Sequence, residues 1–124
     1  MGKIERFEDI VAWRKARRLV QEIYRICNIQ NYNKDYGLID QTRRAAISIM
    51  ANVAEGFARR TKKEFINFLG IAHASAAELQ SHLYVALDQG YISNDEFKFI
   101  YTMVDEVSRI IQGFIKYLKN DKGI

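Results

Sequence analysis

The stretch Gln41–Thr42–Arg43–Arg44–Ala45–Ala46–Ile47–Ser48–Ile49–Met50–Ala51–Asn52–Val53–Ala54–Glu55–Gly56 decides the fold. Wound at about 100° per residue, it puts Thr42, Ala45, Ala46, Ile49 and Val53 on one stripe and Gln41, Arg44, Ser48, Asn52 and Glu55 on the next. The first stripe needs a core, and the second needs a polar or small-residue neighbour. A helix with two such faces belongs inside a bundle, and the segments on either side have the pattern of its other members.

Upstream, from about Glu8 to Cys27, the residues Ile10, Trp13, Ala16, Leu19, Val20, Ile23 and Cys27 recur at steps of three and four, which predicts an amphipathic helix over 8–27. The Asn-rich segment 28–35 has no sustained period and reads as a connection, with Asp35 able to cap a second helix over 36–57. Gly56 and the basic pair Arg59 and Arg60 mark the end of that helix, where cations suit the dipole. Thr61–Lys62–Lys63–Glu64 then has the form of a capping box and opens a third helix over 62–89. Its apolar face is Phe65, Phe68, Leu69, Ala72, Ala76, Leu79, Leu83, Ala86 and Leu87, and the small residues at its middle suit close approach to the second helix. Gly90 ends it. Ser93–Asn94–Asp95–Glu96 repeats the capping-box form for a fourth helix over 94–119, and Asn120–Ile124 reads as a frayed tail.

Short connections between four such helices predict one all-α domain over residues 1–124, an antiparallel up-down-up-down four-helix bundle. Composition agrees. The 124 residues are 48% apolar and 27% charged, and they include no proline to interrupt a helix. Cys27 is the one cysteine, so the chain has no internal disulfide and no multi-thiolate metal site, and its thiol reads as core packing. No apolar run approaches the ~18 residues of a membrane span, and the N-terminus lacks a signal-like core, which predicts a cytoplasmic protein with no membrane role. Trp13, Ile47, Met50, Ile66, Ile71, Val85, Ile110 and Tyr91 lie at or beyond the stripe edges, which predicts that some of them pack between subunits.

Net charge is +4 and unevenly spread: residues 1–63 hold 14 Lys/Arg against 7 Asp/Glu, whereas 64–124 hold 5 against 8. A basic front half suits a polyanionic partner. Candidate phosphate contacts are Arg14, Lys15, Arg17, Arg18 and Arg25 on the first helix, with Arg43, Arg59, Arg60, Lys62 and Lys63 around the second helix and the turn after it. Six phosphate contacts would give a log–log salt slope of about −5 on duplex and about −4 on single strands. No RNP-type aromatic motif is present, so recognition by shape and charge is expected.

Catalysis has weaker support. The stripe Gln41, Arg44, Ser48, Asn52 and Glu55, facing Ser75, Glu78 and His82 of the third helix, reads as a hydrogen-bonded packing seam, with Arg44 paired to Glu55 or Glu78. Di-iron bundles need repeated Glu-x-x-His motifs that this chain lacks, and Glu78 with His82 supplies only two ligands, so no metal or cofactor is expected. There is no P-loop and no dinucleotide-binding fingerprint.

Taken together, Phe7–Glu8–Asp9–Ile10 followed by Trp13, the block 41–46, the Ser48–x–x–x–Asn52–x–x–Glu55–Gly56 block, and Glu64–Phe65 through Ala72, Ser75, Ala76 and Glu78–Leu79 resemble the four-helix-bundle proteins encoded within intervening sequences of bacterial 23S ribosomal RNA genes. The resemblance spans roughly residues 7–118 and departs from the family at Met50, where many members have proline. It implies a bundle that assembles into a ring, most often a pentamer, with RNA as partner. A similar fold serves as the accessory protein of diversity-generating retroelements, where a basic pentamer works with a reverse transcriptase and nucleic acid. The expected function is therefore a non-enzymatic homo-oligomeric scaffold that binds nucleic acid, the alternative being a structural or protein-partner adaptor.

Overall fold

Polar residues at the turns set the helix limits in the computed structural model, which describes residues 3–120. Four helices follow one another as α1 (Val11–Cys27), α2 (Tyr36–Phe57), α3 (Lys62–Asp88) and α4 (Asn94–Asn120). The expected frayed tail from Asp121 onward lies outside the described residues.

The first helix opens later than the apolar period predicts, because Phe7–Asp9 form a 3-10 turn instead. One oxygen of Asp9 accepts the backbone N–H groups of Glu5 (3.0 Å) and Arg6 (3.2 Å), and these bonds hold its carboxyl below the usual range. The turn delivers Ile10 into the core and sets Phe7 edge-on to Trp13 at 5.0 Å.

Asp35 caps α2 by accepting the Leu38 N–H at 3.1 Å, and its other oxygen accepts the Tyr91 hydroxyl at 3.0 Å. One carboxylate thus starts α2 and anchors the turn between α3 and α4. Behind it, Tyr32 stacks on Tyr91 at 5.3 Å and donates to Thr42 Oγ1, which donates to the Leu38 carbonyl. Burial pushes the Tyr32 phenol up to about 12. At the start of α3 the Thr61 hydroxyl accepts the Glu64 N–H and donates to Glu64 Oε1, both at 3.1 Å. Gly90, at φ +73°, closes α3 with bonds from its own N–H to Leu87 O and from Tyr91 N–H to Ala86 O, the Schellman arrangement.

Contacts between helices run in opposite directions along each neighbouring pair. Lys15 and Arg25 of α1 meet Glu106 and Glu96 of α4, while Phe65 and Tyr84 of α3 meet Phe114 and Phe97 of α4. Ser48 and Gly56 of α2 face Ser75 and then Phe65 and Phe68 of α3. The helices are therefore antiparallel in the order α1–α2–α3–α4, with α4 returning to α1. The shared core runs from Ile10, Leu19 and Ile23 through Ile49 and Val53 to Leu69, Leu79, Leu83, Ile100 and Ile111.

The second helix spans Tyr36–Phe57, as the sequence reading has it, and Gly56 is buried within its last turn, where it serves a neighbouring helix as well as the helix end. A Cβ there would lie 2.7 Å from Phe68 Cβ, 2.9 Å from Phe65 Cδ1 and 3.3 Å from the Phe65 carbonyl oxygen. The absent side chain is what lets α3 begin against α2. Gly113 on α4 has open space around the same position. Urea unfolding should therefore separate the two: Gly56→Ala lowers stability by about 1–3 kcal/mol through overpacking, whereas Gly113→Ala raises it by roughly 0.5–1 kcal/mol through helix propensity.

Candidate nucleic-acid interface

Three members of the expected polar seam meet. Ser48 Oγ and Ser75 Oγ are 2.8 Å apart across α2 and α3, and the Asn52 amide donates to the Ser48 carbonyl (2.8 Å) and hydroxyl (2.9 Å). Neither neighbour of the Ser48 hydroxyl can take its proton, so the seam satisfies polar groups and builds no nucleophile. The outer members turn away from it. Gln41 is exposed, and Arg44 pairs with Asp40 at 3.0 Å, not with Glu55 or Glu78 as its stripe predicts. Asp40 stands one turn before Arg44 on the same solvent face, the nearest carboxylate to an i, i+4 neighbour. Glu55 pairs with Arg59 at 2.8 Å, and Glu78 approaches His82 Nε2 at 3.9 Å while His82 Nδ1 has no partner. Among the described residues no three His, Cys, Asp or Glu side chains converge as a metal site would require. Burial pushes the Cys27 thiol up, and the neighbouring Arg43 offsets this only in part, so it is held as the neutral thiol.

The ten candidate cations do not form one ridge. Arg25 is engaged: its guanidinium bonds Glu22 at 2.8 Å and both oxygens of Glu96 at 2.6 and 3.0 Å. Arg43 lies half-buried over the Tyr24 ring at 4.6 Å, facing α1. Both belong to the end of the bundle where α2 and α4 begin. Arg14 donates to the Glu8 carbonyl at 3.0 Å, Lys15 meets Glu106 at 3.6 Å and Arg17 sits 6.0 Å from the Trp13 ring centre. Arg59 lies 4.7 Å over Phe68, Lys62 is half-buried with a partner of its own, and Arg18, Arg60 and Lys63 are exposed with no ion pair among the described residues.

Folding redistributes the charge in a way that chain order hides. A cut across the bundle through the Ser48–Ser75 contact, passing between Lys15 and Glu106, divides it into two ends. Residues 3–18, 48–74 and 108–120 form one end, with 13 Lys/Arg against 5 Asp/Glu; residues 19–47 and 75–107 form the other, with 5 against 9. One end is net +8 and the other −4, a balance that leaves the stated +4 because Asp121 and Lys122 cancel. Arg109, Lys116 and Lys119 of α4 join the basic end although they come from the acidic back half of the sequence. The clue was the up-down topology itself, which returns the last turns of α4 to the turn between α2 and α3. Lys116 and Lys119 are also exposed without ion pairs among the described residues, beside an open groove lined by Arg109, Gln112, Gly113 and Asn120.

These features together are those of an all-α four-helix bundle with a polar packing seam between α2 and α3 and one cationic end. The chain belongs to the 23S rRNA-intervening sequence protein family, whose profile matches residues 8–113. A similar solved structure is a protein of unknown function from the S23 ribosomal protein family of Bacteroides thetaiotaomicron, 25% identical over 86% of this chain and 96% of the other, with a TM-score of 0.80. No curated protein matches the chain. Among the described residues, no helix is long and apolar enough to cross a membrane.

Arg25 holds the Glu96 carboxyl below its ordinary value of 4.5 by hydrogen bonding, with burial opposing. The contribution of this pair is therefore present above that value and is lost as pH falls through the lower folded pKa. Both side chains keep solvent contact, so it is worth about 1 kcal/mol or less. Glu96→Gln should lower stability by that amount at neutral pH, and thermal or urea unfolding at pH 3 should bring the variant and wild type closer together.

Proposed function

We propose that this chain is a non-enzymatic scaffold that self-associates and holds nucleic acid, RNA foremost, through phosphate contacts at the basic end of its bundle. The observation that carries this reading is the end-to-end charge separation, together with the exposed cations Arg18, Arg60, Lys63, Lys116 and Lys119, which have no ion pairs among the described residues. Cations already matched by carboxylates, such as Arg25, add little attraction for phosphate, whereas unmatched ones release counterions when a polyanion arrives. The family's description in terms of 23S rRNA supports RNA over other polyanions. A non-enzymatic role fits the mutual satisfaction of Ser48, Ser75 and Asn52 and the raised pKa of the Cys27 thiol.

Self-association is supported by the aliphatic residues that the core leaves outside. Ile47 on α2 and Ile71 and Val85 on α3 are 41%, 48% and 43% exposed, beside the small residues Ala51, Gly70, Ala74 and Ala77. Covering such a surface with a second copy removes it from water. In a ring of parallel bundles, the expected pentamer, every basic end would share one rim, and weak single-site contacts would combine by avidity. A cytoplasmic setting, with RNA at hand, fits the same reading.

Fluorescence polarisation of labelled RNA over a salt series, with assembly mass measured on the same sample, tests the proposal. Binding with a log–log slope steeper than about −3 is expected. Replacing Arg60, Lys63 and Lys119 together by Gln should flatten the slope by roughly 2 to 3, whereas Arg25→Gln should leave it nearly unchanged. An intact oligomer that retains no RNA at low salt would overturn the nucleic-acid reading and leave the protein-adaptor alternative.

A further inference from the structure

The basic end carries an aromatic ladder as well as cations. Phe57 in the last turn of α2 lies 6.0 Å from Phe65 in the first turn of α3, Phe65 lies 5.3 Å from Phe114 of α4, and Phe114 lies 6.3 Å from Tyr117. The three phenylalanines are half-buried against the core, but Tyr117 is 62% exposed. It is thus the outward end of this chain of rings, with Lys116 one residue before it and Lys119 two after it in the last turns of α4, on the sides of the helix away from the ring. The other exposed rings stand elsewhere: Tyr24 is covered on one face by Arg43, Tyr84 is packed on Phe97 and Tyr101, and Tyr36 and Phe99 occupy the acidic end.

Cations by themselves attract paired and unpaired strands alike. An exposed ring does not, because a duplex keeps the faces of its bases stacked on one another, whereas an unpaired base has a free face for an aromatic side chain. We infer that the basic end selects unpaired RNA, with Tyr117 as the stacking platform for one base and the exposed cations of that end on phosphates elsewhere along the strand. This inference rests on the phosphate-binding reading above and adds to it the class of strand.

The test compares a short unstructured RNA strand with the duplex it forms with its complement, using the full chain and monitoring its assembly mass. Tyr117→Ala should weaken binding of the single strand roughly 10- to 100-fold, leave the duplex within about twofold, and leave assembly mass unchanged. Tyr117→Phe should keep single-strand affinity, since the ring and not the hydroxyl does the stacking. Equal loss on both RNAs, or no loss on either, overturns the platform while the salt-dependent binding of wild type still supports phosphate contact. Dissociation of the assembly by Tyr117→Ala overturns it too, by making Tyr117 a subunit contact. If wild type binds neither RNA, the phosphate-binding reading fails and takes this inference with it.

Discussion

The close approach of α2 to α3 is the constraint on which the other contacts depend. Gly56 leaves no room for a methyl group against Phe68, and two turns earlier, at mid-bundle, Ser48 and Ser75 share a short hydrogen bond between backbones that only small residues allow so near. Holding the two helices there fixes where Phe65 and Phe68 fall, and Phe65 in turn meets Phe114 of α4. The far end is fixed by a different device, the Asp35 carboxylate shared between the α2 amide and the Tyr91 hydroxyl. Between these two ties the aliphatic core needs only to fill volume, which the alternation of Leu and Ile with Ala does.

Most of this was legible in the order of residues. Asp35, Thr61, Ser93 and Gly90 act as the stop and start signals their chemistry implies, since each works on backbone groups within a few residues and needs no knowledge of distant contacts. The Ser48–Ser75 seam was legible because two small polar stripes at matching period have few other ways to be satisfied. The end of α2 at Gly56–Phe57 was legible, but the packing role of Gly56 was not, because a glycine near a helix end looks the same whether it serves the backbone or a neighbour. The ion pairs were legible only in part: Arg44 had several carboxylates within one helical turn or one helix spacing, and exposed pairs differ too little in energy for sequence to choose among them.

The charge pattern shows why a linear count misleads. In chain order the basic half is the front, and Arg25 and Arg43 look equivalent to Arg60 and Lys63. In the bundle, Arg25 forms a bidentate pair with Glu96 and Arg43 covers Tyr24, whereas Lys116 and Lys119 arrive at the cationic end from the far side of the sequence. Antiparallel topology sorts residues by height along the axis, which alternates with chain position from one helix to the next. Glu96 also illustrates a local rule overridden by a distant contact: it occupies a capping-box position, yet its carboxylate reaches across to α1.

A molecule positive at one end and negative at the other has a handle by which an electric field can turn it. The field of an approaching polyanion exerts a torque on the bundle once the two are within a few Debye lengths, each about 8–10 Å at ordinary ionic strength. The bundle would reach contact already pointing its cationic end forward, so fewer collisions would be wasted on the wrong face. The same asymmetry leaves the opposite end turned toward solvent in every such encounter, giving whatever is held on the molecule a defined front and back.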